Sequence, residues 1–133
     1  MAAAGWPLRL RHRKLTVAAL IASMAIDIDH LPLYAGVHGV SQGGRPFTHS
    51  LATVVAFAFA GLLLSRGRPV LLGISVGVAL HLFRDLASGP GIPMWWPVTF
   101  DGVHSPYRLY AAPLVLLAIA APTRARRHRT GPQ

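Results

Sequence analysis

Apolar residues in this chain neither alternate nor recur every third or fourth place; they come in long runs separated by short polar islands. One run goes from Leu15 to Ile26, meets Asp27, Asp29 and His30, and resumes briefly at Leu31, Pro32 and Leu33. The others go from Phe47 to Leu64, from Pro69 to about Ser88, and from Pro106 to Pro122. Runs of 17 to 20 residues are too long for buried strands and approach the ~20 helical residues that cross a bilayer. Pro69 and Pro106 suit the first turn of a helix, where a missing amide costs nothing. Gly67 and the Gly89, Pro90, Gly91, Pro93 cluster interrupt the chain between helices. The pattern predicts an all-α protein, an integral membrane bundle of four transmembrane helices over 15–30, 47–64, 69–88 and 106–122. It forms a single membrane domain over 1–133, without repeat or linker, and ends in a basic tail over 123–133.

Composition strengthens this picture. Of 133 residues, 53% are hydrophobic and 13% charged, with a mean hydropathy of +0.46. Ordinary soluble domains carry about 25% charged residues, so a soluble surface is hard to build here, and disorder and collagen-like structure are excluded. There is no cysteine, which removes disulfides, thiolate ligands and cysteine nucleophiles. Any metal must sit on histidine, carboxylate or backbone oxygen.

The net charge of +9, from 13 Lys plus Arg against 4 acids, would suit nucleic acid, but position argues against that partner. Arg9, Arg11, Arg13 and Lys14 precede the first run, Arg66 and Arg68 separate two runs, and Arg124, Arg126, Arg127 and Arg129 close the chain. If each run crosses once, all three islands fall on one side, as the positive-inside rule requires of cytoplasmic segments. Both termini are then cytoplasmic, and the lipid bilayer is the first partner. Ser23-Met24-Ala25 would pass as a signal-peptide cleavage site, but cleavage there would leave Asp27 beside a new terminus, so a retained span is preferred.

The four acids, Asp27, Asp29, Asp85 and Asp101, all fall in outer halves of helices or in outer loops. At ~1.5 Å per helical residue, Asp27 and His81 both lie ~18 Å from the inner boundary, and Asp85 and His49 both ~24 Å. Three helices thus deliver polar groups to one level. Each lone charge there costs roughly 2.5–3.5 kcal/mol on insertion scales, and a bound cation compensates several at once. His81 and Asp85, four apart, share a helix face, while Asp27, Asp29 and His30 cluster at the end of another helix. Imidazole and carboxylate together suit a divalent metal: Zn²⁺ first, with Mn²⁺ or Fe²⁺ as alternatives, and one or two ions. Neutralisation of the aspartates by Arg45, Arg84 or Arg108 is the bland competitor, and it leaves three histidines at that depth unexplained.

The stretches Asp27-Ile28-Asp29-His30, Gly44-Arg45-Pro46-Phe47-Thr48-His49-Ser50, His81-Leu82-Phe83-Arg84-Asp85 and Gly89-Pro90-Gly91-Ile92-Pro93-Met94-Trp95-Trp96-Pro97 occur in family order. Together they resemble the bacterial inner-membrane metal-dependent hydrolase family, also described as LexA-binding, inner-membrane-associated hydrolases. The resemblance covers about residues 20–97. It implies a helical membrane protein whose metal ligands are Asp27, Asp29, His30, His49, His81 and Asp85. Two departures stand out. Ala25-Ile26 takes the place of a Leu-Pro pair, and members carry an earlier helix opening with a histidine, whereas His12 here lies in the basic run. The chain is therefore expected to start after that helix, with one ligand of the family's site either missing or replaced, His104 being the candidate replacement.

Other polar groups have simpler expectations. Thr48 is an N-cap candidate, and Trp95, Trp96, Tyr107 and Tyr110 form an interfacial aromatic belt. His38 belongs to a loop and His128 to the tail. Arg45, Arg84 and Arg108 are not cytoplasmic anchors; beside a metal they suit a substrate anion such as phosphate. Asp101 is a candidate base, with His104 as its catalytic neighbour. The expected activity is hydrolysis, by metal-activated water, of a phosphoester of a lipid or other amphiphile at the outer leaflet. Two alternatives are a metal-ion carrier, disfavoured by the apolar cytoplasmic halves, and a non-enzymatic anchor or regulator holding a cytoplasmic protein partner through the basic tail.

Overall fold

The computed structural model describes residues 6–37 and 45–129. His38 and the ends of the chain, with Thr130–Gln133 of the basic tail, lie outside them, as do the side chains of the rest of that tail. The elements are α1 (Trp6–Ala25), a 3-10 turn (Ile26–His30), α2 (Leu31–Tyr34), α3 (Leu51–Leu63), α4 (Arg68–Asp85) and α5 (Tyr107–Arg129). Among the described residues there is no strand; an isolated antiparallel bridge joins Ile92 and Val103. The all-helical expectation holds.

The helices do not coincide with the apolar runs. α1 begins nine residues before Leu15, because Arg, Lys and Leu are good helix formers whatever their hydropathy. The first run then ends in the 3-10 turn. α3 starts at Leu51 and has 13 residues; the expected helical start at Phe47 is replaced by a turn in which the His49 amide donates to the Pro46 carbonyl (3.0 Å) and Ser50 is extended. α4 opens as expected, with Gly67 left-handed before it and Pro69 in its first turn. α5 continues into the tail as far as Arg129. No helix among the described residues is long and apolar enough to cross a membrane: α1 takes in the basic island, α3 is short, and α4 carries Arg68, His81, Arg84 and Asp85.

α4 is the central element, with α1 and α3 packed on it. A stripe at four-residue spacing, Gly73, Gly77, His81 and Asp85, stays buried along it. A Cβ on Gly77 would stand 2.2 Å from the Ala19 carbonyl oxygen, and one on Gly73 2.4 Å from that of Leu15. The two backbones therefore touch, which only glycine permits, in the small-xxx-small manner of tightly packed membrane helices. On the α3 side, the Ser75 hydroxyl donates to the Val54 carbonyl (2.9 Å).

Residues 86–106 close the end of the molecule where α4 stops. The Ser105 amide donates to Leu86 (2.6 Å), the Leu51 amide to Met94 (3.1 Å), and the Ile92–Val103 pair exchanges two bonds. Ile92 is thereby buried against Val78 and Leu82, with Ile26, Val54, Ile74, Leu86 and Met94 around them. The rest of the molecule is inverted relative to a soluble domain. Buried side chains include His49, Ser50, Ser75, His81 and Asp85, while Leu20, Ile21, Met24, Val55, Phe59, Leu62 and Leu116 are exposed. α5 meets α4 through Phe83 and Tyr110, whose ring centroids are 5.5 Å apart.

Candidate metal centre

Three segments converge at the end that residues 86–106 close. The 3-10 turn after α1 supplies Asp27, Asp29 and His30, the turn before α3 supplies His49, and the end of α4 supplies His81 and Asp85. The close α1–α4 approach places the Ser23 carbonyl 2.7 Å from His81 Nδ1. A carbonyl can only accept, so Nδ1 carries the proton and Nε2 is left to face Asp85 Oδ2 at 2.9 Å and Asp27 Oδ1 at 3.3 Å. His49 Nε2 stands 3.7 Å from each of the same two oxygens. Tetrahedral donors held ~2.1 Å from one ion stand ~3.4 Å apart, so these four atoms have the right spacing for one.

The second grouping shares His49. Its other ring nitrogen, Nδ1, lies 3.3 Å from Asp29 Oδ2, and His30 Nδ1 lies 3.0 Å from Asp29 Oδ1. Thr48 donates its hydroxyl to Asp29, so it orients a carboxylate instead of capping α3; the cap position belongs to Ser50, whose side chain makes no cap bond. All six sequence-predicted ligands are thus brought together, as Asp27, His49, His81, Asp85 and as Asp29, His30, His49. A bond between Thr48 and Asp29 depends on where the α1 end meets the α3 start, and no local pattern signals it.

Burial and charge test the fit of a cation. His49 and Asp85 are fully buried and His81 nearly so, whereas the Asp27 side chain is 50% exposed. The cluster therefore has one open flank. Buried side-chain atoms without a hydrogen-bond partner include Asp29 Oδ1, His30 Nδ1, both nitrogens of His49, His81 Nε2 and Asp85 Oδ1. Native proteins orphan few such atoms, and here they crowd one point. Three carboxylates, Asp27, Asp29 and Asp85, stand against one joined guanidinium, that of Arg45, which is bonded to Asp85. Even with the exposed Arg84 guanidinium 3.9 Å from Asp85, carboxylates outnumber the guanidinium groups, and the excess negative charge favours a cation. The residues fit a divalent metal.

The matching sequence family completes the evidence. A family model described as YdjM inner membrane protein matches residues 1–132. The chain belongs to the YdjM inner membrane protein family. No curated protein and no solved structure matches it. The inner-membrane character expected from the motifs thus holds for this YdjM-family chain, over more of its length than the motifs cover.

The remaining candidates divide. Of the three arginines, Arg45 is the one hydrogen-bonded to the cluster. The Arg84 side chain is 61% exposed, its Nε 3.9 Å from Asp85 Oδ1. Arg108 is exposed in the first turn of α5 and joins no ion pair among the described residues. His104 is not among the donors that share the centre, so it does not replace a ligand. It lines a cavity of 330 Å³ with Arg45, Gly91, Asp101 and Gly102. Asp101 accepts from the Thr99 hydroxyl (2.6 Å) there. Arg45 is shared by this cavity and the metal centre. Trp95 and Tyr107 are exposed, and Trp96 stacks at 5.0 Å on Phe47.

Proposed function

We propose that this YdjM-family protein is a membrane-embedded, metal-dependent hydrolase that cleaves a phosphoester of a lipid or other amphiphile at the outer leaflet. The observation that carries the reading is the convergence of the buried, unpartnered His49 and His81 nitrogens and the buried Asp85 carboxylate on half-exposed Asp27. Asp27, His49, His81 and Asp85 would hold one divalent ion, and two nitrogens with two oxygens suit Zn²⁺. When bound, such an ion supplies Lewis acidity and lowers the pKa of water.

The chain's own groups do the rest. The Ser23 carbonyl fixes the His81 tautomer, and Thr48 and Asp29 orient His49 from behind. Arg45 offers its buried, unpartnered Nε to the phosphate. Asp101 takes the proton from the attacking water, the new bond forms from water oxygen to phosphorus, and the ester P–O bond breaks. His104 returns a proton to the departing alcohol oxygen.

The inverted distribution of apolar residues supports the bilayer as partner, and the three basic islands support an orientation with both ends cytoplasmic. The 86–106 segment and the metal centre then face the periplasm. A screen of lipid phosphoesters with the metal-loaded protein in nanodiscs, against its chelated form and Asp85→Ala, tests the activity. Turnover by the loaded wild type alone is expected. No turnover of any phosphoester, together with unimpaired cellular function of Asp85→Ala, would contradict the enzyme reading and leave a non-enzymatic anchor.

A further inference from the structure

A groove of 1170 Å³ runs between α1, α3 and α4. Asp29 and Thr48, which belong to the metal centre, line one end of it, and Arg13 and Lys14 line the other. Its walls in between are apolar, with Ile21, Ala22, Phe57 and Ile74 among them. From Arg13 to Ala25 the helix rises ~18 Å, and the 3-10 residues to Asp29 add ~8 Å, so the groove is ~25 Å long. That is close to the ~30 Å hydrocarbon thickness of a bilayer.

We infer that this groove receives one long hydrocarbon chain of the substrate. The inference rests on the phosphoester reading for the head of the molecule and adds a place for its tail. Two features select this occupant. The groove and the centre are continuous through Asp29 and Thr48, so a head at the centre puts the first carbons of its chain into the groove without a turn. The groove then stays apolar until Arg13 and Lys14, where charged heads with little to pair with on a hydrocarbon set a limit to chain length. The substrate class is therefore a long-chain amphiphile with a small anionic head, gripped along one chain, in preference to a short or water-soluble ester.

The probe is a long-chain alkyl phosphonate, which is not cleaved, carrying a diazirine either next to its head or at its tail. It is added to the full chain in nanodiscs of neutral lipid, and photolabelled residues are mapped by mass spectrometry. The head-side diazirine should label Ile28 and Ala25, and the tail diazirine Val17 and Val70. Ala22→Trp, which fills the middle of the groove, should remove most tail-end labelling with metal content unchanged. Val17→Trp, which shortens its far end, should shift the tail label toward Ile21. Labelling confined to outward-facing Phe59 and Leu62, or insensitive to both substitutions, would overturn the proposal. Crosslinking of an Ala22→Cys variant to a second copy of the chain would overturn it too, by giving the groove a protein occupant. Because the phosphonate reports binding alone, groove labelling without phosphoester turnover sinks only the hydrolase reading. Turnover without groove labelling sinks only this one.

Discussion

Gly77→Ala adds one methyl group at the tightest point of the α1–α4 contact. The new Cβ would lie 2.2 Å from the Ala19 carbonyl oxygen and 2.9 Å from its carbonyl carbon. Carbon and carbonyl oxygen settle at ~3.3 Å even when attracted, so the helices must part by about 1 Å there. No rotamer relieves this, since the obstacle is backbone. Overpacking of this kind costs about 1–3 kcal/mol, with the backbone contact at the upper end, and the better helix propensity of alanine returns ~1 kcal/mol. The net loss is about 1–2 kcal/mol, which lowers Tm by roughly 3–10 °C in a chain of this size. A second effect follows one turn further on. The His81 Nδ1 bond to the Ser23 carbonyl, now 2.7 Å, would lengthen beyond hydrogen-bonding range if the parting persists. Metal affinity should then fall about 10–100-fold, as it does when such orienting partners are lost. Gly61→Ala is the milder comparison, because its Cβ would meet the Leu72 side chain at 2.9 Å, which can turn aside, and backbone no nearer than 3.2 Å. Thermal unfolding in detergent and metal titration of both variants decide the matter. Gly77→Ala as stable as the wild type, with equal metal affinity, would refute the close-packing argument.

Three further outcomes are expected. Thr48→Val removes the hydroxyl held by Asp29, and isothermal titration should show metal affinity about tenfold weaker with unchanged stoichiometry; unchanged affinity would make the bond incidental. Chelation should lower Tm in the wild type but not in His81→Ala, because an ion that binds only the folded state, at 100 times its Kd, contributes ~2.7 kcal/mol; equal shifts would show that the ion sits elsewhere. In intact cells, a membrane-impermeant maleimide should label Val98→Cys and not Ser65→Cys, both exposed positions; the reverse pattern would invert the orientation.

Much of this centre is legible in the chain because its determinants are local. His81 and Asp85 share a face by helical period alone, and Asp27, Asp29 and His30 are neighbours in sequence, so both halves of the cluster follow from spacing. Depth along a helix placed Asp27 and His81 at one level, and they lie 3.3 Å apart. His49 reaches the same place by a different route, since Pro46–Ser50 is a turn where helix was expected. Pairing of Arg45 with Asp85, 40 residues apart, was one of several equal pairings, because long-range partners depend on the loop path. Arg108, exposed on α5, shows the same dependence: depth along a helix does not say which way a side chain turns. The Gly73–Gly77 pair, by contrast, is a visible small-xxx-small signal in line with His81 and Asp85, and it explains why α1 can approach closely enough to present Ser23 and Asp27.

The most direct test of the metal centre is elemental analysis of the protein purified in detergent, for the wild type, His81→Ala and Asp85→Ala. The wild type should carry about one divalent ion per chain, and each variant should lose most of it, since each removes a donor from the group of four. A wild type without a stoichiometric ion after growth and purification with zinc, or variants that keep the ion in full, would contradict the account and leave the cluster as a network of ion pairs around Arg45.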